Sequence, residues 1–176
     1  MEIPIIGAVT KDEELGWYYS EPIPVQVLGG QMCRIVVEGY DDDANKDDFH
    51  AAIKNFLSIN HSVLHDAEPH VFQYYQDCKR YWAGNSEQFI SIESSGEVWQ
   101  NVRFGSEPIV SRRSSGDQGI YLSLECNCDW EVEHGLQIVF KNGLIINKIG
   151  PYDGHDTNSD AYGDESLEDI IYLQIK

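Results

Sequence analysis

Carboxylates, imidazoles and thiols gather in two short stretches of the sequence. One is Cys128-Asp129-Trp130-Glu131-Val132-Glu133-His134-Gly135, and the other is Gly150-Pro151-Tyr152-Asp153-Gly154-His155. Asp129, Glu131, Glu133, His134, Asp153 and His155 are the candidate site residues. Such side chains carry protons in general acid–base chemistry and supply oxygen and nitrogen ligands to divalent cations. Between the stretches lies Leu136–Ile149, with Asn142-Gly143 supplying the positive φ of a type I′ hairpin turn. A short hairpin returns on itself, so its flanks emerge side by side. Glu133, His134, Asp153 and His155 are therefore expected within a few side-chain lengths of one another. One reading is a binding or metal site. The other is a hydrogen-bond network that anchors the hairpin base.

Further groups invite a metal or nucleophile reading and are weaker. Asp156, Asn158, Asp160 and Asp164 fall at the first, third, fifth and ninth places of a calcium loop, but Ala161 and Leu167 stand where glycine and glutamate belong. An irregular oxygen-ligand site completed by Asp153 or Glu165 is one reading, and local turn capping is the other. Asp41, Asp43 and Asn45 begin the same template, which Lys46 and Ala52 then break; helix capping explains that run. Cys126-x-Cys128 with His134 and His155 suggests zinc, yet one-residue spacing on a strand puts both thiols on one face, and here it is the apolar one. His61 and His65 lie four apart, with Ser62 where a metalloprotease needs glutamate. A hydrolase built from Cys126 or Cys128, His134 or His155, and Asp129 or Asp153 lacks any local nucleophile signature such as Gly-x-Ser-x-Gly.

The elements that must hold these residues follow from periodicity. Ile23–Leu28, Gly29-Gly30 and Met32–Glu38 read as a hairpin. Phe49, Ile53, Phe56 and Leu57 recur at helical spacing, so a helix starts near Asn45–Asp48. A second helix is expected over Ser58–Asp66. A third is expected from Pro69, with Val71, Phe72, Tyr75, Cys78 and Trp82 as its buried stripe and Gly84-Asn85 as its end. Phe89–Glu93, Glu97–Phe104 and Pro108–Arg112 are candidate strands. Ile120, Leu122, Leu124, Cys126, Cys128 and Trp130 alternate with polar residues, so a long strand with one apolar face is expected through Glu131. The Leu136–Ile149 hairpin, a polar loop over 150–165 and a strand over Ile170–Ile175 complete the chain. The fold class is α+β: one domain over 1–176, mostly antiparallel sheet, with a two- to three-helix insertion near residues 45–82.

Charge narrows the function. The 176 residues include 30 acidic and 12 basic ones, a formal net charge of −18, and 41% are hydrophobic. Such a field repels phosphate backbones and anionic membrane surfaces, so neither nucleic acid nor membrane is expected as a partner. It favours a basic protein partner, bound cations or simple solubility. With Met1-Glu2-Ile3-Pro4 unlike a secretory leader, reduced thiols in the cytoplasm are expected.

Around the two polar stretches the sequence resembles an uncharacterised bacterial domain family. Its members carry Cys-Asp-Trp-Glu-x-Glu-His-Gly-Leu-Gln followed by a Gly-x-Tyr-Asp-Gly-His loop, here Cys128–Gln137 and Gly150–His155. Ala67–Tyr75 is similar as well, and the resemblance spans about residues 24–162. The family has no assigned activity, so the resemblance carries over no catalytic residue. Some relatives resemble proteins of toxin–immunity neighbourhoods. The expected function is therefore a non-catalytic binding domain of immunity type that masks a basic partner, without a cofactor. The alternative is a divalent-metal-binding module or metal-dependent enzyme built on the 133–155 cluster. The sequence fixes no oligomeric state.

Overall fold

A computed structural model describes residues 1–82 and 89–175. In chain order the strands are β1 (Glu2–Ile3), β2 (Gly7–Lys11), β3 (Tyr18–Ser20), β4 (Ile23–Val25), β5 (Gln31–Cys33) and β6 (Val36–Val37). Two helices follow, α1 (Lys46–Ser58) and α2 (Val63–Trp82). The chain then returns to sheet with β7 (Val102–Phe104), β8 (Ile109–Arg112), β9 (Ile120–Cys128), β10 (Glu131–Lys141) and β11 (Ile145–Gly150), before a short helix α3 (Asn158–Tyr162). The class is α+β. The main sheet runs β1-β2-β3-β6-β8-β9-β10-β11, with β7 on the far half of β9 and a separate β4–β5 ribbon. Every pairing is antiparallel except β6 with β8.

The alternation that begins at Ile120 builds the core. Leu122, Leu124, Cys126 and Cys128 are buried, while Glu125 and Asn127 between them are exposed. Against that face α1 lays Phe49, Ala52, Ile53 and Phe56, and Phe56 meets Phe140 edge-on at 5.2 Å. The β10–β11 turn places Asn142 at φ 52° and Gly143 at φ 68°, as expected of Asn-Gly. A Cβ on Gly143 would lie 2.0 Å from the Ala52 carbonyl oxygen, so this glycine also lets α1 pack onto the turn.

Several expected elements differ. The second and third helices are one, α2, with Pro69 inside it. Leu64, Ala67, Val71, Tyr74, Tyr75 and Cys78 form one continuous buried stripe. Pro69 removes a single hydrogen bond near the helix start, and burial of that stripe outweighs it. The expected helix end at Gly84-Asn85 lies outside the described residues, as does the side chain of Trp82. The expected strand at 89–93 has no ladder, and Ser95–Asn101 is a 3-10 helix leading into β7. The strand expected over Met32–Glu38 is split, because β5 closes the ribbon while β6 joins the main sheet. The long strand ends at Cys128, where Asp129-Trp130 make a tight turn and Glu131 pairs back with Cys128. The 170–175 segment is irregular. It is tied down where Ile149 N–H donates to Ile171 O (2.7 Å), and where Tyr172 Oη–H and Ile175 N–H donate to Asp77. No described helix is long and apolar enough to cross a membrane.

The second face of the sheet positions the site. Residues directly opposite in a ladder share a face. The register Tyr19↔Val36↔Ile109↔Ser123↔Val139↔Lys148 therefore forms one row across six strands, on the side away from α1 and α2. The 150–168 segment folds back over the Val139–Lys148 end of that row.

Candidate functional site

The hairpin flanks do adjoin, for Tyr152 N–H donates to His134 O at 3.2 Å. The six candidate residues nonetheless divide into separate groups. Asp129 is paired with Arg103 at 2.7 Å. Glu131 turns back on its own chain and accepts hydrogen bonds from the amides of Glu133 (2.8 Å) and His134 (3.3 Å), while His134 Nδ1 stands 3.4 Å from its second oxygen. Asp153 accepts a hydrogen bond from the Lys148 ammonium and from His155 N–H (2.9 Å). Glu131, His134 and Asp153 line one shallow cleft of about 330 Å³ with Tyr74 and Tyr162. Glu133 and His155 do not line it. Among the described residues no three His, Cys, Asp or Glu side chains converge as a metal would require.

The other metal readings meet competing partners. Asp160 is held by Arg113 at 2.6 and 2.9 Å, and its amide is capped by Thr157 Oγ1, which starts α3. Asn158 is buried and donates to Ile170 O, while Asp164 accepts from the amide and hydroxyl of Ser166. The carboxylates of Asp160 and Asp164 thus serve ion pairing and capping, whereas the Asp156 carboxylate has no hydrogen-bond partner among the described residues. Asp43 pairs with Arg112 and Asp41 with Lys11. His61 Nδ1 lies 2.9 Å from Val27 O, and His65 Nδ1 lies 2.8 Å from Glu68. Cys126 and Cys128 are free, buried thiols that burial pushes up to about 12, so both stay protonated and poor as nucleophile or ligand at neutral pH.

A second cleft, about 510 Å³, lies over the second sheet face. Its floor is the Ile109 and Ser123 part of the six-strand row. Trp17, from the turn before β3, and Tyr152, from the overlying loop, form its walls. Glu38, Asp156 and His155 face it. Its overlying wall is pinned from beneath by Lys148. That side chain is only 2% exposed, and its ammonium donates to Asp153, to Gln137 Oε1 (3.2 Å) and to His155 O (3.1 Å). Burial lowers the Lys148 pKa, and the Asp153 carboxylate opposes that shift. The candidate residues Asp153 and His155 thus shape this groove, Asp153 by holding the loop and His155 by lining it.

Two guanidiniums border the groove and are already matched. Arg112 binds Asp43 (2.5 Å) and Asp48 (2.8 Å); Arg113, 3% exposed, binds Asp160 and Glu168 (2.5 Å). Asp156 differs from its neighbours. Burial pushes its carboxyl up to about 6, Asp160 and Glu38 add like-charge repulsion, and Arg113 and Lys148 pull the other way without a hydrogen bond. A carboxylate left in that state within a cleft is the most perturbed acidic group of the site.

Residue-by-residue reading missed Trp17, Glu38 and Ile109. The usable signal was the polar face of the 120–131 alternation, with Ser123 and Glu125 on it, but only the cross-strand register shows what stands beside that face. Among curated proteins and among solved structures, none matches the chain. A family model does match, over residues 5–156, and by that match the chain belongs to DUF6985, a domain family of unknown function.

Proposed function

We propose that this protein is a non-catalytic binding domain that masks a basic protein partner, as an immunity-type protein does. The carrying observation is the groove over the open sheet face. It combines aromatic walls with two carboxylates, Glu38 and Asp156, that form no ion pair with any described cation, in a chain whose formal charge is −18. A surface of that kind attracts a positive partner over long range and docks it quickly at low salt. The buried, protonated thiols and the partnered carboxylates support binding over chemistry, because neither supplies an activated nucleophile. The resemblance of some relatives to proteins of toxin–immunity neighbourhoods points the same way.

Affinity capture from source cells at low salt tests it, followed by reconstitution with the purified partner. The expected result is a basic partner whose harmful activity falls in proportion to added protein. Recovery of only neutral or acidic partners, or of a basic partner whose activity is untouched, refutes the reading.

A further inference from the structure

The chain seats its own cations in a repeated way. Arg112 lies 5.7 Å from the Phe49 ring centroid and binds Asp43 and Asp48. Arg113 lies 5.8 Å from the Tyr121 ring and binds Asp160 and Glu168. Arg34 lies 5.3 Å from the Tyr19 ring and faces Glu107 at 3.7 Å. Each seat is an aromatic face joined to one or two carboxylates. The groove presents the same ingredients in Trp17, Tyr152, Glu38 and Asp156. None of the chain's described cations forms an ion pair with Glu38 or Asp156, and the two guanidiniums at the rim are occupied elsewhere.

We propose that the groove seats one arginine side chain of the basic partner, its guanidinium stacked between Trp17 and Tyr152 and facing Glu38 and Asp156. The inference rests on the binding-domain reading and names the group that reading leaves unspecified. Arginine fits better than lysine. Its guanidinium is flat, stacks on aromatic faces and offers paired donors to carboxylates, whereas an ammonium is a strongly hydrated point charge. An anionic ligand fits poorly, because the Arg112 and Arg113 donors are already spent on four carboxylates. Charge complementarity is local as well as global, since Glu38 and Asp156 are the acidic groups of the cleft that form no ion pair among the described residues.

The test is a titration of the isotope-labelled protein with a blocked Gly-Arg-Gly peptide, followed by nuclear magnetic resonance. Its citrulline counterpart, a neutral isostere, is run beside it. The expected result is saturable shifts at the Trp17 indole N–H and at the amides of Ser123 and Asp156, with the citrulline peptide at least about tenfold weaker. Combined Glu38→Gln and Asp156→Asn should weaken binding by a similar factor, while Glu13→Gln on the exposed surface leaves it unchanged. Equal binding of the citrulline peptide, or equal loss in the Glu13→Gln control, overturns the proposal. Arginine-dependent shifts located elsewhere on the chain overturn this seat and leave the binding-domain reading standing. No salt-sensitive binding of any arginine-rich peptide at low salt removes both.

Discussion

Asp156→Asn should make the protein more stable at neutral pH and a poorer binder of cations. The carboxyl moves from an ordinary 3.8 up to about 6, chiefly through burial. Its folded pKa lies above its unfolded one, so the folded state takes up a proton between those values. The carboxyl is therefore harmless below about pH 4, and stability is lost as pH rises from about 4 to about 6. At about 1.36 kcal/mol per pKa unit, the full shift corresponds to roughly 3 kcal/mol at pH 7.5. Asp156 is only partly enclosed and keeps some attraction from Arg113 and Lys148, so about 1–2 kcal/mol is the expected gain for the amide. In a chain of this size that raises Tm by roughly 2–8 °C. Urea unfolding at pH 7.5 and at pH 4 measures it: the variant should exceed wild type at the higher pH and match it at the lower. Glu13→Gln, on the exposed surface, is the control for general charge relief. A variant less stable than wild type at pH 7.5 would show that the carboxylate has a partner in the fold, and the account of the groove would fail with it.

Other variants separate scaffold from site. Asp153→Asn leaves the Lys148 ammonium buried without its counter-charge, an expected loss of about 2–4 kcal/mol, whereas Lys148→Met leaves an aspartate that water can reach and a buried Gln137 Oε1 without its donor, an expected loss of about 1–2 kcal/mol; chemical unfolding of both variants gives the ranking. Gly143→Ala sets a Cβ at 2.0 Å from a backbone oxygen of α1 at positive φ, so a loss above about 3 kcal/mol, or failure to fold, is expected in the same assay. His134→Ala should change stability by less than about 0.5 kcal/mol, because the ring is half exposed and its one polar partner among the described residues is Glu131 at 3.4 Å; a larger loss by calorimetry would give it a structural role.

The elements with strong local patterns were legible in the sequence. The alternation from Ile120 gave β9 and its apolar face, Asn142-Gly143 gave the turn, and the Phe49–Phe56 spacing gave α1. Pro69 misled because proline is a local punctuation mark, and the stripe from Leu64 to Cys78 that overrides it is a tertiary effect. The 170–175 segment has strand composition but is held by Asp77 and Ile149, contacts about a hundred and about twenty residues away in sequence. The candidate site was partly visible. The hairpin flanks do meet, and Asp153 and His155 help form the groove. Trp17, Glu38, Ile109 and Ser123 come from four distant stretches, and only the register of the sheet brings them together. The ion pairs of Asp160 and Asp153 were invisible for the same reason, so the acidic loop resembled a ligand set more than it does in the fold.

The most direct test of the central claim is the affinity for an arginine-rich peptide as a function of salt, measured by calorimetry with wild type and with the Glu38→Gln, Asp156→Asn pair. Binding at about 50 mM salt that weakens at least about tenfold by about 300 mM, and that the paired variant largely loses, is the predicted result. Binding indifferent to salt and to the paired variant, or no binding at either salt, contradicts it.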